Sequence, residues 1–288
     1  MTELQITHIG GKQTMIVTYD GLFESNFCDA MLRTLEADFA ACSFPGELHE
    51  GYNPGIKESR DLHFSPAKYA LKDKAFTEGH RVLENTIVLA FSSVLAHYRS
   101  VYTNELKQFS NINDTGFQVQ KYQRNHGYFR NHVDSFPSAD NACRVLSFIL
   151  YLNTIEQGGE TVFPLHETAV KPVAGRVVAF PSLFTHPHEG RPSYSDDKWI
   201  INTFITNTIS IEEQQALSTA NLPLVNTEIQ AADLHDAPHT HFDDAFTHPH
   251  DDSNHTHNEI NETYDSFINQ GFTHWEALAK TCSATTNK

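Results

Sequence analysis

Apolar residues recur at helical spacing in two early stretches of the chain. Phe27, Met31, Leu32, Leu35 and Phe39 lie three or four positions apart within 25–42, which predicts an amphipathic helix with Ser25 as its N-cap. A longer pattern runs from about Phe76 to Lys107, with Val82, Leu83, Ile87, Val88, Phe91, Val94, Leu95 and Tyr98 on one face. A short strand is expected at 14–20. The intervening stretch 43–64, SFPGELHEGYNPGIKESRDLHF, is punctuated by Pro and Gly and reads as a loop. After about residue 115 the period changes. TGFQVQKYQ, CRVLSFILYLN, GRVVAFP and KWIINTFIT are β-rich runs separated by Gly, Pro, Asn and Asp. Helices followed by closely spaced strands predict an α+β chain with a mainly β core, a sandwich or barrel flanked by N-terminal helices.

This pattern divides the chain. Residues 1–110 form a supporting strand and helices, and 111–208 a β core that shares one domain with them. A third part, 209–288, is a C-terminal extension. Within that extension HTHFDDAFTHPHDDSNHTHNEIN repeats His-x-His pairs with acids, at His239/His241, His248/His250 and His255/His257. It is polar and reads as a solvated spacer, with capture of a transition metal by its imidazoles as the alternative. The 288 residues carry a formal net charge of -16, which argues against nucleic-acid or anionic-membrane partners. The four cysteines, Cys28, Cys42, Cys143 and Cys282, are scattered and read as isolated buried thiols rather than a thiolate metal site. No run is apolar enough to span a membrane, and the N-terminal residues lack a secretory pattern, so a cytoplasmic location is expected.

Candidate chemistry lies in the β-rich part. His132 and Asp134 are two apart, and on a strand that spacing points both side chains to one face. With one distant histidine they can form the 2-His-1-carboxylate triad of non-haem iron(II) oxygenases. His-x-Asp alone is weak, and the tail holds a second copy, His241-Phe-Asp243. For the distant ligand the residues themselves leave His186 and His188 open. Lys198, ten residues past His188, begins a strand-like run where a lone cation is costly unless it meets an anion.

The order of segments around these residues is more specific than any one of them. Tyr122 precedes His132-x-Asp134, then come RVLSFILYLN, GGETVFP, PVAG with an apolar run, and HEGRP followed by Lys198-Trp199. Over about 115–206 this resembles the iron(II)- and 2-oxoglutarate-dependent dioxygenases, specifically the prolyl 4-hydroxylase type. The resemblance implies a double-stranded β-helix (a jelly roll) and hydroxylation of an unactivated C–H, with release of succinate and CO₂. The expected substrate is a prolyl residue of a peptide or protein, with a free amino acid or small metabolite as the alternative. It implies Fe(II) on His132, Asp134 and His188, with O₂ and 2-oxoglutarate as co-substrates and ascorbate as a reductant. The co-substrate would be anchored by Lys198 and Tyr122, with Ser147 where the family has Thr. Tyr128 or Phe129, Lys57 and Arg60 are expected on the substrate side. Trp199 is a further candidate there, though packing in the barrel wall is the plainer reading.

Overall fold

A computed structural model describes residues 3–23, 25–48, 51–135 and 142–208. In chain order the elements are β1 (Gln5–His8), β2 (Val17–Asp20), α1 (Ser25–Cys42), β3 (Phe44–Pro45), β4 (Lys57–Glu58) and β5 (Arg60–Phe64). Then come α2 (Pro66–Ala70), α3 (Glu78–Val101), α4 (Thr103–Leu106), β6 (Ile112–Asp114), β7 (Phe117–Tyr122) and β8 (Tyr128–His132). The chain continues through β9 (Ala142–Tyr151), β10 (Thr161–Phe163), β11 (Thr168–Val170), β12 (Val177–Pro181), β13 (His188–Gly190) and β14 (Lys198–Thr208). One sheet runs β1-β2-β12-β9-β14-β7-β5-β3, with β6 also on β14; the other runs β11-β10-β13-β8-β4. Every pairing is antiparallel, and the arrangement is the double-stranded β-helix expected from the motif order.

Period-two alternation gives the large sheet two different faces. On β9, Leu146, Phe148 and Leu150 join the cluster that also holds Leu35 of α1 and Ile87, Phe91 and Tyr98 of α3. Ile149 and Tyr151, on the opposite face, belong to a smaller cluster between the sheets, with Phe163, Val178, Phe180 and Ile200. On β14 the same rule sends Trp199, Ile201 and Ile205 toward the helices and Ile200 inward. The helices therefore stabilise the sheet from behind and leave its inner face for a cavity.

Several local expectations change. Ser25 is the first residue of α1 rather than its cap. The long helical pattern is two helices, α3 and α4, divided at Tyr102. Tyr102 is buried and donates its hydroxyl to Lys12 O at 3.2 Å, a long-range contact absent from helical periodicity. Of the apolar face read on α3, Ile87, Phe91, Val94 and Tyr98 are buried, while Val82 and Val88 are exposed. The stretch 43–64 is not simply a loop. It contains β3, β4 and β5, and β5 pairs with β7 while β4 pairs with β8. Strands of two residues have no period to read; their partners lie far along the chain. Cys28 and Cys42 are buried, but Cys143 is exposed. Residues 209–288, with Cys282 and the His-x-His pairs, lie outside the described residues.

Phe148 is fully buried, with its ring edge-on to Phe91 at a centroid distance of 5.6 Å. Phe148→Ala should cost about 3–5 kcal/mol of unfolding free energy. Urea titration should show a lower midpoint with an unchanged slope.

Candidate active site

Two strands and the bend after the first bring the candidate ligands together. β8 ends on His132, and β13 begins on His188, and the two are register partners. Cross-strand partners share a face, so the imidazoles lie side by side, with ring centroids 4.3 Å apart. Asp134 sits two residues past His132. Its Oδ1 is 3.4 Å from His132 Nε2, and its Oδ2 is 3.5 Å from His188 Nε2. One donor atom from each of the three residues lies within 4.8 Å of the others.

The surroundings fix how each ligand presents itself. His132 Nδ1 donates to Arg130 O at 2.8 Å, and His188 Nδ1 donates to His186 O at 3.1 Å. Both Nε2 atoms then face the carboxylate, the nitrogens left for a metal to take. His188 is buried, and that burial pulls its pKa down to about 4, opposed by Asp134, so it is neutral at pH 7. Burial works to raise the Asp134 carboxyl. The facing His188, then His132 and the Ser147 hydroxyl, outweigh it and hold the group well below the usual carboxylate range. Two imidazoles and one carboxylate, with a ring nitrogen of each histidine aimed at the anion, suit iron(II).

The other sequence candidates fall into distinct places. Ser147 is not on the cavity wall; its hydroxyl donates to Asp134 Oδ2 at 2.6 Å. With its one proton so used, it accepts from Ser182 Oγ at 2.8 Å. It orients the carboxylate rather than touching a co-substrate. His186 donates from Nε2 to Thr14 O at 2.7 Å and bonds Thr185 Oγ1 through Nδ1 at 2.9 Å, so neither ring nitrogen faces the triad. Arg60 points outward onto Ser43, and Trp199 packs on Phe39 of α1 behind the sheet. Both are therefore removed from the substrate side: parity along β5 and β14 turns them away. Tyr128 donates its hydroxyl to Pro54 O at 2.7 Å and is not on the cavity wall. Phe129 is on that wall, stacked on the His132 ring.

A cavity of about 570 Å³ opens beside the triad. Lys198 and Tyr122, register partners on β14 and β7, are buried in its wall. Lys198 Nζ donates to Gly159 O at 3.0 Å and stands 4.8 Å from the centre of the Tyr122 ring. Burial pulls its pKa down to about 8, against the opposing pull of Glu160. Tyr122 is pushed well above its ordinary value, first by burial and then by Asp61 and Asp134, so it stays protonated. Its hydroxyl donates to Gln120 Oε1 at 2.6 Å. Lys57, on the wall opposite, is closed onto Asp61 by an ion pair of 2.6 Å and lies 5.3 Å from the Phe129 ring centre. This pair joins β4 of one sheet to β5 of the other.

Among the wall residues that motif reading missed are Tyr151, Thr161 and Gln120. Tyr151 bonds Thr161 through their hydroxyls at 2.7 Å. Tyr151 shares parity with Ser147 on β9, and Gln120 with Tyr122 on β7, so strand period could have found both. Asn153 had no assigned role. It clamps the start of β14, with Oδ1 accepting from Trp199 N at 3.0 Å and Nδ2 donating to Asp197 O at 2.8 Å.

Residues 117–206 match the family described as the 2OG-Fe(II) oxygenase superfamily. That stretch is similar to a 2OG-Fe(II) oxygenase domain. The matched stretch contains all three triad residues, Tyr122 and Lys198. The chain is 30% identical over 115 residues to prolyl 4-hydroxylase 13 of Arabidopsis thaliana, covering 31% of this chain and 42% of that protein. It is 30% identical over 123 residues to a putative prolyl 4-hydroxylase of Acanthamoeba polyphaga mimivirus, covering 36% and 50% respectively. The chain thus spans half or less of the length of these relatives. In fold it is similar to a Trichoplax adhaerens prolyl hydroxylase solved with a hypoxia inducible factor peptide fragment. That likeness has a TM-score of 0.53 at 19% identity, over 72% of this chain and 89% of the other.

Asp134→Ala should abolish stoichiometric Fe(II) or Co(II) binding, read by anaerobic titration, whereas Asp243→Ala in the second His-x-Asp copy should leave it intact. Ser147→Ala removes the donor behind the carboxylate and should weaken metal affinity about 10–100-fold. His186→Ala should retain the metal. Loss of binding there, with binding kept in His188→Ala, would reassign the distal ligand.

Proposed function

We propose that this protein is an Fe(II)- and 2-oxoglutarate-dependent dioxygenase that 4-hydroxylates a prolyl residue of a peptide or protein, releasing succinate and CO₂. The observation that carries this reading is one cavity with a ready three-ligand face at one place and a buried lysine at another. Among the described residues Lys198 has no carboxylate partner at ion-pair distance. Iron(II), when bound, supplies the activation of O₂ that no side chain here can supply. His132, Asp134 and His188 would hold it on one face and leave the opposite positions open to a chelating 2-oxo acid. Lys198 binds the far carboxylate of 2-oxoglutarate, and the Tyr122 hydroxyl, turning from Gln120, donates to the same group. Phe129, Ile149 and Ile200 keep water from the reacting end of the cavity. The presence of Asp134 supports hydroxylation, since a carboxylate occupies the position a halide would need. The prolyl 4-hydroxylases matched over the domain support a prolyl target. The same proposal includes ascorbate as reductant and a cytoplasmic location.

The test is mass spectrometry of a proline-rich peptide panel and of free amino acids after incubation with Fe(II), ascorbate and 2-oxoglutarate. One oxygen gained per succinate released, on a peptide proline, is the expected outcome. Oxygen gained by a free amino acid alone would move the substrate to a small metabolite.

Lys198→Ala should raise the 2-oxoglutarate KM by roughly a hundredfold at saturating iron, near the lower end of the ~3–5 kcal/mol for a broken buried pair. The pH dependence follows from the depressed lysine. The co-substrate carboxylate is ionised throughout, while Lys198 is a cation only below its pKa of about 8. The KM should therefore climb as pH rises through about 8. Lys198→Arg, which keeps its charge, should flatten that climb while fitting the site less well.

A further inference from the structure

Beyond the co-substrate end, the cavity wall changes character. Along β7 and β14 the register pairs are Tyr122 with Lys198, Gln120 with Ile200, and Gln118 with Asn202. All six line the cavity. A chain of hydrogen bonds runs along this wall. The Tyr122 hydroxyl donates to Gln120 Oε1 at 2.6 Å, and Gln120 Nε2 donates to Gln118 Oε1 at 3.0 Å. The bond from Gln120 to Gln118 does not depend on the Tyr122 hydroxyl, which turns to the co-substrate when that is bound, so the Gln118 Nε2 hydrogens remain at the end of the chain. Across from Gln118 stands Asn202, 8% exposed, with an Oδ1 that has no hydrogen-bond donor among the described residues. An enclosed acceptor without a donor is costly to keep, and such groups in cavity walls mark where something else completes them. Asn202 lines the cavity, and the terminal torsion of its amide is soft enough for either end to turn toward a ligand.

We propose that Gln118 and Asn202 form a subsite for one main-chain amide bearing an N–H, belonging to the peptide held next to the metal. This rests on the peptide-hydroxylase reading above and adds to it a requirement on the substrate's neighbouring residue. The Gln118 Nε2 hydrogens donate to the amide carbonyl, and Asn202 Oδ1 accepts the amide N–H. Two neutral carboxamides offer one donor and one acceptor side by side, the complement of a secondary amide. A bare carboxylate would leave the Asn202 acceptor unmet, and an ammonium would leave the Gln118 donor unmet. Arg144 lies at the same end, its guanidinium 3.7 Å from the centre of the Phe204 ring and bonded to Asp134 O at 3.2 Å. A guanidinium offers no acceptor, so the N–H still falls to Asn202. A run of consecutive prolines has no N–H to give. The favoured target is therefore a proline beside a non-proline residue.

The experiment measures binding rather than turnover. The full chain, loaded with Fe(II) and 2-oxoglutarate under nitrogen, is titrated with three probes: an alternating proline-alanine peptide, poly-L-proline of equal length, and free L-proline. The alternating peptide should bind about tenfold more tightly than poly-L-proline, and free proline most weakly. Asn202→Leu and Gln118→Leu should each bring the ratio of the two peptide affinities close to one. Asn202→Asp, which keeps an acceptor, should preserve the preference and so separates lost chemistry from lost folding. Equal binding of the two peptides by the unaltered chain, binding of neither, or a preference that survives both leucine variants would overturn the subsite. Succinate release in air is followed in parallel. Its absence would instead remove the oxygenase reading, whereas its presence with equal peptide binding removes the subsite alone.

Discussion

The burial of one carboxylate governs this structure. Asp134 sits at the mouth of a β-barrel, where an isolated anion would be protonated or expelled. It is kept ionised by groups from widely separated parts of the chain. Ser147 of β9 donates to it from behind, and Ser182, just past β12, donates to Ser147. His132 and His188 face it from β8 and β13, each with its other nitrogen tied to a backbone carbonyl. The carboxylate is thus presented with an ordered imidazole on either side. A small change in the register of β13 against β8, or of β12 against β9, would unmake that arrangement.

The rest of the architecture serves that precision. The large sheet carries its apolar core on the helix side, where α1 and α3 bury a wide face of β9 and β14. The inner face can then be given largely to polar chemistry without loss of the fold. At the cavity mouth the Lys57–Asp61 pair spans the two sheets, and Ser59 donates to the same carboxylate at 2.7 Å. Such a pair, closed off from water, contributes more to fixing one sheet against the other than to net stability. At the deeper end Gly158 and Gly159, both with positive φ, turn the chain so that Gly159 O meets Lys198. The cation is held in place by a neutral carbonyl and keeps its charge for an incoming anion.

Much of the site was legible in the residues because its motifs are local. His132 and Asp134 are two apart; Lys198 begins a run whose alternation puts it inward; paired glycines announce a turn. The choice of His188 over His186 came from a matched motif. Its physical reason is tertiary: His186 is used up by Thr14 and Thr185, at opposite ends of the domain and next door. Ser147 was placed on the co-substrate because its residue type fits. Its partner, Asp134, is thirteen positions away, and only the pairing of the sheets shows which of the two it meets.

The sequence by itself determined the period of each long element, the helix-then-strand order and the residue types able to hold a metal. These depend on neighbours within one or two turns or along one strand, and local sterics set them. The tertiary structure decided which strands pair, in what register, and so which side chains share a cavity. It turned Trp199 and Arg60 outward, made strands of Lys57–Glu58 and Arg60–Phe64 inside an apparent loop, and divided the long helix at Tyr102. Those outcomes rest on contacts between residues tens of positions apart, whose energies have no signature in any short window of the chain.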